Sequence, residues 1–157
     1  MKVIGKQIMT MAVVFSVIVL TPSFASFRGD KIHSKKTIKP QARLEVVATA
    51  YYKPHKNQAE YLHGSYKEET RINGTGKVFL DGKPAKIGDI AADWKFIPAG
   101  TVVWIPNFDL TATVRDVGKD IKGRRIDVYV GEGEKALKIA KDFGRRRIDI
   151  FVLKWGA

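Results

Sequence analysis

Residues 114–130 read VRDVGKDIKGRRIDVYV. Two strand-like runs, each carrying an aspartate, are joined by a loop of Gly, Lys and Arg that an ordinary strand pair does not need. Side chains alternate between faces along a strand. In 111–116, Ala112 and Val114 share a face, so Asp116 continues an inward row just where the strand runs out. In 126–130, Ile126, Val128 and Val130 make the apolar face and send Asp127 and Tyr129 toward solvent or a groove. An Asp ending a core row and an Asp on a groove face converge at a barrel rim, as a carboxylate site requires. Parity alone equally allows two surface Asp neutralised by Arg115, Arg124 and Arg125, pairs that are each worth little.

Around this stretch the chain is punctuated by Gly74, Gly76, Gly82, Gly88, Gly100, Gly118 and Gly123. Between them lie short apolar runs: VFL at 78–80, TVVWIP at 101–106, TATVRD at 111–116 and RIDVYV at 125–130. LEVVATAYY at 44–52 precedes them and IDIFVLKW closes the chain. Short strands at such spacing predict a mainly β fold, a small barrel or sandwich. One short helix is expected near Glu132–Phe143, with Ala136, Ile139, Ala140 and Phe143 on one face and Gly144 ending it. RRIDVYV at 124–130 is echoed by RRIDIFV at 146–152, so an Arg-Ile-Asp triplet by itself has little specificity.

At 157 residues and 45% apolar, the chain suits one domain with its own core. Lys2 and Lys6 precede an apolar run from Ile8 to Leu20, followed by Ser23-Phe24-Ala25, the order of a secretory signal over 1–25. That run is shorter than the roughly 20 residues a bilayer span needs, so no stable membrane span is expected after cleavage. Residues 26–43 are basic and aperiodic and read as a flexible leader, leaving a domain over 44–157. The net charge of +12, or +10 without Lys2 and Lys6, predicts adhesion to an acidic partner. With no Cys there is neither a disulfide framework nor a thiolate metal site. His55, Glu60 and His63 match no ligand spacing carried on a helix, so no metal or other cofactor is expected. Aromatics paired for base stacking are missing, which argues against nucleic acid.

Several ordered motifs from Val46 to Trp155 resemble the three-aspartate (3D) domain, the double-psi β-barrel of membrane-bound lytic transglycosylase A and of small muralytic proteins of spore-forming bacteria. They are VVATAYY, GTGK at 74–77, AAD followed by IPAGT, DVGxxIKGxRID, and GRRRIDIFVLKW. The chain departs from the family pattern at Lys119, Asp120 and Arg124 in the loop after Asp116, and at Asn73-Gly74. The resemblance implies a six-stranded double-psi barrel and an exported, monomeric enzyme of the cell envelope, secreted or periplasmic. Its implied substrate is peptidoglycan, cleaved at the β-1,4 bond between N-acetylmuramic acid and N-acetylglucosamine to leave 1,6-anhydro ends; a non-catalytic wall-binding module is the alternative. It further implies Asp127 as acid/base, Asp116 as electrostatic partner, and Asp93 as a support of the loop or a sugar contact. Lys77, Trp94, Lys122 and Arg125 are the expected substrate contacts, while Trp104 and Trp155 are expected in the core and Asp149 in a structural role.

Overall fold

The computed structural model describes residues 39–157. The signal sequence expected over 1–25 and most of the leader expected over 26–43 lie outside the described residues. Six strands are formed: β1 (Ala42–Lys53), β2 (Asp89–Ala92), β3 (Val102–Ile105), β4 (Leu110–Asp116), β5 (Arg125–Glu132) and β6 (Arg146–Lys154). They close into a barrel in the order β1-β5-β2-β4-β3-β6, the six-stranded architecture that the resemblance implied. The long β1 holds two neighbours, antiparallel to β6 over Ala42–Ala48 and parallel to β5 over Val47–Lys53. β1 begins at Ala42, two residues earlier than expected, because Ala42 and Arg43 pair with Val152 and Phe151.

Alternation fills the barrel. Val46, Ala48, Ile90, Val103, Ile105, Ala112, Val114, Ile126, Val128, Ile150 and Val152 are all buried in one cluster. Fully burying a Val or Ile side chain stabilises by about 1.5–3 kcal/mol, so this layer is the main source of stability in a chain without disulfides. Helix α2 (Gly133–Phe143) packs on β1 and β5 through Ala136, Leu137, Ala140 and Phe143. Its bounds agree with the sequence, but Ile139 is exposed where a buried residue was expected, and Leu137 takes the other edge of the face instead.

Several expectations need correction. A second helix, α1 (Tyr66–Asn73), joins the one short helix expected near Glu132–Phe143. Its only buried side chain is Glu69, so it shows no apolar periodicity. The VFL run at 78–80 is not a strand: Val78 is buried, but its N–H donates to Lys83 O (2.9 Å) and Gly82 N–H donates back to Val78 O (3.0 Å), which makes a tight turn. The sixth strand is instead β2, whose four residues are all buried. Trp155 lies just past β6 and is exposed, and Trp104 is only partly buried, so neither belongs to the core cluster. No helix among the described residues is long and apolar enough to cross a membrane.

Candidate active site

β4 and β5 are not neighbours. β2 lies between them, parallel to β4 and antiparallel to β5, so the loop 117–124 has to cross two strand widths. Strands lie about 4.8 Å apart, which makes that span roughly 10 Å and explains a connection far longer than a hairpin turn. Ala91 of β2 is the shared neighbour: it sits opposite Asp127 on one side and opposite Asp116 on the other. By strict alternation Asp116 belongs to the inward row of Ala112 and Val114. A register shift between Ile90 and Ala91 sets it beside Ala91 instead, a bulge that re-aims one side chain.

The result is a shallow cleft of ≈ 60 Å³ lined by Tyr51, Ile72, Asn73, Ala91, Asp116, Ile121 and Asp127, among others. Ala91 is the residue between the two carboxylates, and its single methyl keeps the floor open. Asp127 accepts a hydrogen bond from Thr49 Oγ1 at 2.8 Å, its register partner on β1. Burial pushes the Asp127 carboxyl up to about 6, and the charge of Asp116 adds to the rise. The Thr49 hydroxyl, Arg125 and the Val128 N–H oppose it. Asp116 is held differently. Its Oδ1 accepts from the backbone N–H groups of Phe79 and Val117, both at 2.9 Å, and its Oδ2 from the Tyr51 hydroxyl at 3.3 Å. Tyr51 packs against Tyr129 with ring centroids 5.2 Å apart; Tyr129 points away from the barrel interior as parity requires, but is covered rather than solvated.

Asp93 does not line the cleft. Its Oδ2 accepts from Gly123 N (2.8 Å) and its Oδ1 from Lys95 N (3.1 Å), and these two bonds hold its carboxyl below the usual carboxylate range. Gly123 has φ 58°, the left-handed region that favours glycine, so Asp93 fastens the loop at a position that needs a glycine. Lys77, Lys122, Arg125 and Trp94 do not line the cleft either. Lys77 and Lys122 are exposed, and Arg125 Nη1 donates to Asp120 O at 2.6 Å. Trp94 is partly buried against the core and its Nε1 donates to Asp116 O at 3.1 Å, so it braces the site rather than offering a free ring face. Asp149 is bound to Arg43 at 2.6 Å, away from the cleft.

Thr49, Tyr51 and Ala91 are site residues that sequence reasoning missed. Parity along β1 places Thr49 and Tyr51 on the face opposite Val46 and Ala48, but the β1–β5 register that brings them to the aspartates is a long-range pairing. His55, His63 and Glu60 go to separate partners, Glu132 (3.1 Å), Glu69 (3.2 Å) and Lys141 (2.8 Å), and among the described residues no three acidic, His or Cys side chains are grouped to hold a metal.

A comparison with curated proteins finds no match. Among solved structures, the chain is similar to MltA from E. coli (26% identity, TM-score 0.42, covering 51% of this chain and 28% of that one). It is similar also to E. coli MltA with bound chitohexaose (21%, 0.41, 52% and 28%) and to the lytic transglycosylase LtgG of Burkholderia pseudomallei (29%, 0.37, 48% and 24%). This chain therefore spans about a quarter of the length of those proteins. Residues 89–154, which include Asp93, Asp116 and Asp127 and all the strands but β1, match the family described as the 3D domain. This part of the chain is a 3D domain.

Proposed function

We propose that the chain is an exported lytic transglycosylase-like enzyme that cleaves the MurNAc–GlcNAc bond of peptidoglycan with Asp127 as its single acid/base. The observation that carries this reading is the placement of Asp127: a partly buried carboxyl facing a cleft shared with a second carboxylate, where burial pushes it up to about 6. At pH 7 a group of that pKa is protonated in roughly one molecule in ten, against about one in a thousand for an ordinary Asp. A proton donor is thus present without a metal or a second acid. The 3D-domain match, the resemblance of the ordered motifs, and the basic charge that suits an anionic wall polymer support the same reading.

In this reaction Asp127 gives its proton to the glycosidic oxygen as the C1–O bond breaks, releasing the GlcNAc hydroxyl. The resulting carboxylate takes the proton from the muramyl C6 hydroxyl as that oxygen bonds to C1. The proton lost is regained and no water is consumed. The group that gives one proton takes the next, so the second carboxyl at fixed distance that glycosidases use to activate water or attack the sugar is not required. Asp116 raises the pKa of Asp127 and stabilises positive charge developing on the sugar. Asp93 acts at a remove, by fixing the loop through Gly123. The cleft holds little more than the scissile linkage, with the glycan lying across the open surface.

Incubation with purified sacculi in ¹⁸O-labelled water, followed by mass spectrometry of the soluble muropeptides, tests the proposal. The expected products carry 1,6-anhydro ends without label. Labelled reducing ends would mean hydrolysis, and co-sedimentation without soluble product would favour the wall-binding module.

A further inference from the structure

The turn between Lys77 and Pro84 presents Phe79 to solvent at 68% exposure. A single exposed apolar residue is ordinary on a protein surface. This one differs in how firmly it is placed. Its own N–H donates to Asp116 Oδ1 (2.9 Å), and the next N–H, of Leu80, donates to Arg115 O (3.0 Å). Asp81, in the same turn, takes a bidentate bond from Arg115 Nη2 (2.9 and 2.7 Å), while Arg115 Nη1 reaches both oxygens of Asp89 (3.0 Å each), a carboxylate with no exposure at all. The Phe79 ring meets Trp94 edge-on, with centroids 5.7 Å apart, and Trp94 is itself tied to the Asp116 carbonyl. A partly buried ion network, two backbone bonds and an aromatic brace thus hold one solvent-facing ring beside a cleft carboxylate.

We propose that Phe79 is the platform on which a pyranose ring of the glycan stacks, next to the sugar that spans the carboxylates, and that Arg115 with Asp81 and Asp89 is the brace that keeps it there. The assignment rests on the glycan reading of the cleft. It moves the stacking role that the sequence suggests for Trp94 to its neighbour. The axial C–H groups of a pyranose present an apolar, slightly positive face that suits the negative face of an aromatic ring, and a ring fixed in advance loses little entropy when a sugar covers it. Phe79 touches substrate in this account; Arg115, Asp81 and Asp89 are positioning residues.

The test separates binding from turnover. On the Asp127→Asn background, affinity for a β-1,4-linked N-acetylglucosamine hexamer is measured by titration calorimetry, with folding of each variant verified by its melting curve. Adding Phe79→Ala is expected to weaken binding about 2- to 12-fold, and Phe79→Trp to restore it. In the otherwise native chain, Phe79→Ala raises KM with kcat nearly unchanged, because the ring binds ground and transition states alike. Asp81→Asn, which leaves the ring but loosens its brace, gives a smaller loss. Binding that is unaltered by Phe79→Ala, or absent in the parent, overturns the platform; unaltered binding by Asp81→Asn overturns the brace. Binding of the hexamer through Phe79 together with no anhydro product from sacculi treated with the native chain would sink the enzymatic reading and leave the platform standing.

Discussion

A carboxyl kept at a raised pKa for chemistry costs the fold stability, and replacing it should reveal how much. Asp127 is expected near 3.9 in the unfolded chain and lies at about 6 in the folded one. A folded-state pKa above the unfolded one means that the protonated form is favoured by folding. The associated stability is complete below about pH 4 and is lost as pH rises through 6. Two pKa units correspond to up to about 3 kcal/mol at pH 7 and above. Asp127→Asn has nothing to ionise, keeps the shape and keeps an oxygen to accept the Thr49 hydroxyl. The variant should therefore melt higher than the native chain at pH 7.5, by up to about 10 °C for a domain of this size, and at nearly the same temperature at pH 4. Paired melting curves followed by circular dichroism from pH 4 to 8 give the difference directly, and the other titrating groups cancel in it. An Asn variant that is no more stable at pH 7.5 than at pH 4, relative to the native chain, would refute a raised Asp127.

The same electrostatics predict opposite shifts of the pH–rate profile on its alkaline side, where Asp127 loses its proton. Asp116→Asn removes a neighbouring negative charge and should move that limb to lower pH, whereas Thr49→Val removes a hydrogen bond to the carboxylate and should move it to higher pH; two shifts of the same sign would contradict the assignment. Asp93→Asn, which weakens the grip on Gly123 without entering the cleft, should lower kcat without moving the limb, as read from the same profiles. Binding to sacculi should weaken steeply with added salt, because a chain of net charge +10 once Lys2 and Lys6 are removed meets an anionic polymer through exposed charges screened over about 8 Å at physiological ionic strength. Retention unchanged in 1 M salt would point to uncharged sugar contacts instead.

Much of this was legible in the sequence because it is local. Alternation in RIDVYV and TATVRD placed the core residues of β4 and β5 correctly, and the helix that begins within GEGEKAL ends at Gly144 as its stop signal suggests. What was missed divides into two kinds. Helix α1 had signals that were readable: Ser65 followed three residues later by Glu68, with Ser65 Oγ accepting from Glu68 N (3.2 Å), and Gly74 at its end. Its inward side chain is the charged Glu69, held by His63 and Asn73, so a search for apolar periodicity passes over it. The strand order was of the other kind. That β2 separates Asp116 from Asp127, that a bulge turns Asp116 out of the core row, and that Thr49 meets Asp127 all follow from long-range register, which no local pattern encodes. The cationic sugar contacts expected alongside the resemblance, Lys77, Lys122 and Arg125, lie outside the cleft.

The central claim is that one carboxyl gives and then takes the proton. Its most direct test is the initial rate of anhydromuropeptide release from sacculi by the native chain, by Asp127→Asn and by Asp149→Asn, each shown to be folded. A general acid/base contributes about 10²- to 10⁴-fold, so Asp127→Asn should lose at least that factor while remaining folded. Asp149→Asn, with its matching strand context but a carboxylate bound to Arg43, should release product at close to the native rate. Native-like release by Asp127→Asn, or collapse of activity in Asp149→Asn, would contradict the account.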